Sequence, residues 1–282
     1  DRPDALRARA FRMSAELFTL RRGRAPLLIS VPHDGAHIPA ELASRMTPEA
    51  RRAPDTDWWM SKLYSPIAEA LDASLIVPTH SRYVVDLNRP PDDSSLYPGQ
   101  NTTGLCPSVR FDGGPVYLDG QAPDAAETAE RVERFWRPYH VALAAELERL
   151  RGLHGRVLLW EGHSIASNLP FLFDGELPEL NLGTVGGASC RPATEAAMVS
   201  VLEAADRTAE GPSRRFSWVL NGRFKGGFIT RHYGRPADGV EAVQLETAQR
   251  AYMREPDGGF EAERAAPLQA QVRALIEAAL TA

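Results

Sequence analysis

Short apolar runs that end on polar motifs recur along this chain, and the pattern restricts the fold more than any other feature. In order the motifs are Pro32-His33-Asp34-Gly35, Asp55-Thr56-Asp57, Asp86-Leu87-Asn88-Arg89, Glu161-Gly162-His163-Ser164 and Gln244-Leu245-Glu246. A run such as 27–31, apolar and β-branched, reads as a strand buried on both faces. Further strands are expected at 74–77, 83–87, 156–160, 217–220, 227–230 and 242–245. Helical periodicity predicts helices over 57–71, 125–150, 191–205 and 267–281, with Pro66 kinking the first and Pro138 kinking or restarting the second. Strands and helices alternate without a linker, repeat or low-complexity tract, which predicts a single α/β domain. In such sheets ligands sit beyond the strand ends, where the polar motifs fall. The stretch 90–120 is rich in Pro, Gly, Asp and Ser and too long for an ordinary connection, so it is expected to be a functional loop over a site.

Composition narrows the function. The 282 residues are 43% hydrophobic, enough for a large core, and carry a formal charge of −5. That balance argues against a nucleic-acid partner. Lys62 and Lys225 are the only lysines, and arginine is the usual grip on a carboxylate. Cys106 and Cys190 lack any C-x-x-C spacing, which argues against a disulfide framework and makes the cytoplasm the expected compartment. No apolar stretch is long enough for a membrane span. The charged N-terminus has no apolar core of a signal peptide. Residues 1–13 read as an extension outside the fold, and 14–282 as the domain itself.

The motifs suit metal chemistry. His33 and His163 each follow an expected strand with a glycine close by, and neutral imidazole is a common zinc ligand. Asp55 and Asp57 precede a helix, so each serves either as its cap or as a carboxylate ligand. Glu246 follows an apolar run, where an unpaired charge costs several kcal/mol, on the order of that for other buried ions, and so calls for a partner. Glu161 lies on the same side of an extended strand as His163 and fits the role of orienting it. Asn88-Arg89 presents an amide and a guanidinium together at a strand end. Arg82 and Arg231 also flank expected strands, whereas His140 reads as a core histidine among aromatics. The chain has no G-x-S-x-G, G-x-x-x-x-G-K-[ST] or G-x-G-x-x-G, and the glycine-rich Gly183–Gly187 stretch reads as a loop. The set suits a metal-dependent amide hydrolase acting on a small acidic molecule.

At these residues the chain resembles the N-formylglutamate amidohydrolase (N-formylglutamate deformylase) family. The resemblance runs from about residue 27 to 252 through PLLISVPHDGAHIP, DTDWWMSKLY, SRYVVDLNRP, TTGLCP, FWRPYH, LWEGHSI, LFDGELPELNLGT, GGFITRHYG and QLETAQRAYM. The DLNR element is also similar to the zinc carboxypeptidase and aspartoacylase group. The resemblance implies a phosphorylase/hydrolase-like core, a twisted mixed sheet with helices on both faces. It further implies one zinc ion per chain, or another divalent metal, and cleavage of N-formyl-L-glutamate to formate and L-glutamate in histidine degradation. His33 and His163 match the histidine ligands and Glu246 the general base. Arg89 with Asn88 matches the substrate-carboxylate element. The H-x-x-E element of the carboxypeptidase group is broken, because Ala36 stands three residues after His33. Asp57 is therefore taken as the third ligand, with Asp55 as its alternative. Arg82, Arg89 and Arg231 are the candidate cations for the substrate's two carboxylates, Arg231 being expected to select the side-chain carboxylate, and His232 either assists at the formyl oxygen or supports Arg231. The alternatives are a deacylase or carboxypeptidase-like hydrolase of another N-acyl amino acid, and a metal-binding homologue without catalysis.

Overall fold

Strands with side chains buried on both faces must lie in the middle layer of a three-layer structure, and the central strands here meet that condition. The computed structural model describes residues 17–96, 99, 102–207, 215–255 and 258–282, so the expected extension at 1–13 lies outside the described residues. The strands are β1 (Phe18–Arg21), β2 (Leu27–Ser30), β3 (Ser74–Pro78), β4 (Val157–Ile165), β5 (Leu180–Gly183), β6 (Trp218–Leu220) and β7 (Val240–Ala248). The helices are α1 (Ala40–Ala43), α2 (Met60–Ala70), α3 (Ala125–Arg131), α4 (Arg137–His154), α5 (Pro192–Arg207), α6 (Phe228–Tyr233) and α7 (Ala262–Thr281). The strands form one sheet in the order β1-β3-β2-β4-β7-β5-β6. β3, β2, β4 and β7 run parallel, while β1 is antiparallel to β3 and β5 is antiparallel to β7.

The two-residue period of the strands sorts the core into two halves. Leu27 and Ile29 of β2, Leu158 and Trp160 of β4, and Val243 and Leu245 of β7 pack beneath α2, α5 and α7. Leu28, Val157, Leu159, Val240 and Ala242 face the other way, onto α4 and α6. The result is a mixed sheet with helices on both faces, in a single α/β domain. Among the described residues no helix is long and apolar enough to cross a membrane, and Cys106 and Cys190 are free thiols.

Several elements differ from those expected. Residues 83–87 form buried turns, not a strand: Val84 N–H bonds to Ser81 O (2.9 Å) and Asp86 N–H to Leu105 O (2.7 Å). The open edge of β3 is already taken by β1, so this apolar run is buried without a strand partner. Residues 227–230 are not a strand either but open α6, because Asn88 holds the chain there through its backbone O to Phe228 N–H (3.2 Å) and its side-chain Oδ1 to Ile229 N–H (2.9 Å). A short apolar run does not distinguish the two states by periodicity. β4 continues past Trp160 through Glu161 and His163 to Ile165. Its buried polar residues look like a strand end in sequence, yet β7 pairs with all nine residues. The long helix is interrupted by a π-helical turn at Val132–Trp136, and Pro138 falls in the first turn of α4, where a missing N–H is tolerated. α2 continues through Pro66. β1 and β5, four residues each, were not expected.

Candidate active site

The parallel register of β4 and β7 places Glu161 beside Gln244 and His163 beside Glu246. Because these residues alternate with core positions, all four side chains share the face toward α4 and α6. From β2 the chain leads directly to His33, and the segment before α2 supplies Asp57. One ligand atom from each of His33, Asp57 and His163 lies within 4.8 Å of the others, and all three residues are buried. Asp57 Oδ2 is 3.6 Å from His33 Nδ1 and 3.1 Å from His163 Nδ1. The other oxygen, Oδ1, accepts a 2.9 Å bond from Arg82 Nη2, and Ser164 N–H adds a 3.1 Å bond to Oδ2. Asp57 caps nothing: the cap position of α2 is Trp59, with no side-chain cap bond. Asp55 faces elsewhere, accepting bonds from Tyr83 OH (2.6 Å) and Phe111 N–H (2.9 Å), which ties the 90–120 loop to the floor of the site.

The far side of each imidazole is also held. His33 Nε2 is 2.7 Å from Asp86 Oδ1, which in turn accepts Asn88 N–H at 2.8 Å. His163 Nε2 is 3.0 Å from Glu161 Oε1 and 3.1 Å from Asn88 Nδ2. Thr230 Oγ1 donates to Glu161 Oε2 at 2.6 Å. A carboxylate behind each histidine fixes its orientation, as around metal-ligating histidines generally. Asp86 and Thr230 carry no role in the sequence reading. The signal for Asp86 was present as the first residue of the DLNR motif, whereas nothing in sequence ties Thr230 to Glu161, 69 residues away.

The donor set fits a divalent cation. Among the described residues, the buried His33 Nδ1 has no hydrogen-bond partner, although it points toward Asp57 and His163. A four-coordinate ion with bonds of about 2.0–2.2 Å keeps neighbouring donors roughly 3.3 Å apart, close to the 3.6 and 3.1 Å that separate Asp57 from His33 and His163. The charge balance points the same way, with Asp57, Asp86, Glu161 and Glu246 buried around two histidines and Arg82. Burial pushes the Asp57 carboxyl upward, but Arg82 and the two histidines outweigh it and hold the group well below the usual range. Asp86 is likewise held low, burial being outweighed by His33 and Arg82. For His163 burial opposes the charged form, yet Glu161 and Asp57 hold its imidazolium well above the ordinary value. Burial pushes Glu246 up to about 8, against the pull of His163 and Arg82. Positive charge at His163 and Arg82 favours its ionised form.

Above the cluster lies a pocket lined by His33, His163, Glu246, Arg82, Asn88 and Arg89, with Thr102, Thr103 and Phe111 contributed by the 90–120 loop. Phe111 lies beneath the Arg82 guanidinium, 4.8 Å from ring centre to Cζ. Arg231 and His232 are not brought into this pocket. As part of α6, Arg231 turns back so that its Nε donates to Gly226 O at 2.9 Å, and the exposed His232 stacks on Phe228 at 4.8 Å. The pocket is lined instead by Arg223, which the sequence reading did not single out among so many arginines.

A pocket at the carboxyl ends of parallel strands, with the Glu246 carboxylate beside a His-Asp-His cluster, is the arrangement of an α/β enzyme, and the relatives of this chain make it an amidohydrolase. The chain belongs to the N-formylglutamate amidohydrolase family, whose model matches residues 25–253. It is 49% identical over 266 residues to the N-formylglutamate deformylase of Pseudomonas aeruginosa and 46% identical to that of Pseudomonas putida, covering 94% of this chain and 96% of each relative. Among solved structures it superposes on the N-formylglutamate amidohydrolase of Ralstonia eutropha with a TM-score of 0.75 at 25% identity, covering 93% of this chain and 97% of that one.

Proposed function

We propose that the enzyme hydrolyses N-formyl-L-glutamate to formate and L-glutamate, with zinc held by His33, Asp57 and His163, as a cytoplasmic step of histidine degradation. The observation that carries this reading is the strand register that sets Glu246 beside His163, so that a carboxylate stands next to a three-donor cluster. A zinc ion bound there would lower the pKa of a coordinated water toward neutrality and polarise the formyl oxygen. Glu246 takes one proton from the attacking water and returns it to the leaving nitrogen. The C–N bond breaks as the new C–O bond is completed, giving formic acid and the free amine. Asn88-Arg89 holds the substrate's α-carboxylate, and Arg82 keeps Asp57 ionised and aimed at the cluster. Thr102, Thr103 and Phe111 line the loop side of the pocket.

The test is formate release from N-formyl-L-glutamate together with metal analysis. Chelation should abolish turnover and added zinc restore it, and His163→Ala should lose both metal and activity. Glu246→Gln should keep about one metal per chain while kcat falls by about 10²–10⁴-fold. Full activity in a metal-free preparation would end the metal assignment, and loss of the metal in Glu246→Gln would make that residue a ligand.

A further inference from the structure

Among the described lining residues the pocket holds three arginines, Arg82, Arg89 and Arg223. Arg82 is committed to Asp57 and buried. Arg89 and Arg223 reach the same pocket from two separate connections. Arg89 lines the pocket from the connection that also carries Asn88, whose amide is 3.1 Å from His163. The α-carboxylate, one carbon from the amide nitrogen, must lie there. Arg223 comes from a different element, the connection between β6 and α6.

We propose that Arg223 recognises the side-chain carboxylate of the substrate, and that the preference for an acidic side chain rests on it and not on Arg231. This rests on the reading of the site as an N-formyl amino acid hydrolase. The connection that carries Arg223 is pinned on both sides. Before it, Asn221 N–H donates to Leu182 O (2.7 Å), and Asn221 Oδ1 accepts Thr184 N–H (2.9 Å) and Gly186 N–H (3.1 Å). After it, Lys225 O accepts Val185 N–H (2.7 Å), and Gly227 N–H donates to Gln244 Oε1 (2.7 Å). Asn221 (φ 52°) and Gly226 (φ 126°) supply the left-handed turns that this path needs. A side chain on so constrained a backbone gives up less freedom when it binds. The neighbouring Phe224 packs with Phe111 and Leu172 around Ile165, forming an apolar rim suited to the substrate's methylenes. Beside such a rim a charge-assisted, two-pronged guanidinium–carboxylate contact is strengthened.

The experiment compares kcat/KM for N-formyl-L-glutamate and N-formyl-L-glutamine in wild type, Arg223→Met, Arg223→Lys, Arg89→Met and Arg231→Met. In Arg223→Met the glutamate-to-glutamine ratio should fall by roughly 10- to 150-fold, the span of one charge-assisted hydrogen bond. Arg223→Lys keeps the charge but not the two-pronged geometry and should recover part of the ratio, which guards against a mere folding effect. Arg89→Met should weaken both substrates and leave the ratio in place, and Arg231→Met should also leave it in place. Inhibition by the product L-glutamate, read without turnover of its own, should weaken in Arg223→Met by the same order. An Arg223→Met enzyme with the wild-type ratio overturns the proposal. The two possible failures are distinct: a wild type that releases no formate from formylglutamate overturns the proposed function and this inference with it, whereas normal wild-type turnover with an unchanged ratio in the variant overturns Arg223 alone.

Discussion

Gly162 is the position where one added methyl group should do the most damage. It lies between Glu161 and His163 but faces the opposite way, onto Tyr64 of α2. A Cβ there would stand 2.4 Å from Tyr64 Cε2 and 2.7 Å from Cζ, where real contacts stay beyond 3.0 Å. The ring would have to shift by about 0.6 Å or more inside a core packed at crystal-like density. Tyr64 is fully buried and its hydroxyl accepts a 2.9 Å bond from Trp160 Nε1, so it has no solvent to move into. Overpacking of this kind costs about 1–3 kcal/mol, and a weakened Trp160 bond would add up to roughly 1 kcal/mol. Gly162→Ala should therefore destabilise the fold by about 1–4 kcal/mol. For a chain of this size that lowers Tm by roughly 2–7 °C, measurable by circular dichroism on heating. The same substitution in a Tyr64→Leu background should cost less than about 0.5 kcal/mol, because the methyl then fills space that the ring has vacated. A neutral Gly162→Ala, or an equal cost in both backgrounds, would refute the packing argument.

Two further outcomes follow from the same geometry. Asp86→Asn removes the anionic partner of His33 Nε2 and should weaken zinc affinity by roughly 10–100-fold in a chelator competition; unchanged affinity would show that Asp86 does not support the ligand. His140 is buried between Leu87 O (2.8 Å) and Tyr233 OH (2.9 Å), and burial pushes its imidazole down to about 3. The folded state thus keeps it neutral while the unfolded chain takes up a proton below about 6.5. Its contribution to stability is present above that pH and is lost as pH falls from there toward 3, with a slope of up to about 1.4 kcal/mol per pH unit. Denaturant titrations at several pH values should show a shallower acid dependence in His140→Gln than in wild type, and identical slopes would count against a neutral buried His140.

Much of this architecture is legible in the residues, for a physical reason. Strands buried on both faces need continuous apolar runs, so β2, β3 and β7 stand out, and amphipathic helices such as α2 and α7 declare themselves by their period. His33, Asp57, His163 and Glu246 are visible because a polar residue inside or beside such a run demands an explanation. The same reasoning misplaced the end of β4, since in sequence a buried Glu161 is indistinguishable from a solvated one. It also took 227–230 for a strand, because the bonds that turn Phe228 and Ile229 into helix come from Asn88, about 140 residues earlier. Arg231 falls on α6, where its Nε bonds back to Gly226 O, and Arg223, which lines the pocket, has no local pattern that sets it apart from the other arginines. Partners distant in sequence, such as Thr230 for Glu161 or Asp55 for Phe111 N–H, leave no local trace at all.

The two-sidedness of β4 and β7 has a consequence for how such an enzyme can diverge. Positions 163, 244 and 246 line the pocket and 161 backs His163 on the same face, while 160, 162, 243 and 245 face the packed layer under α2 and α7. Inheritance can therefore exchange the first set, and with it the reaction, without touching the second. It can also alter Arg223 or Phe111 on the surrounding connections and so change the substrate while leaving both strands alone. Deleting a single residue is another matter. Any loss within β4 turns every later side chain to the opposite face, which would bury His163 against Tyr64 and send the core into the pocket. Lineages built on this scaffold should accordingly vary by substitution in these two strands and accept insertions and deletions only in the connections around the mouth.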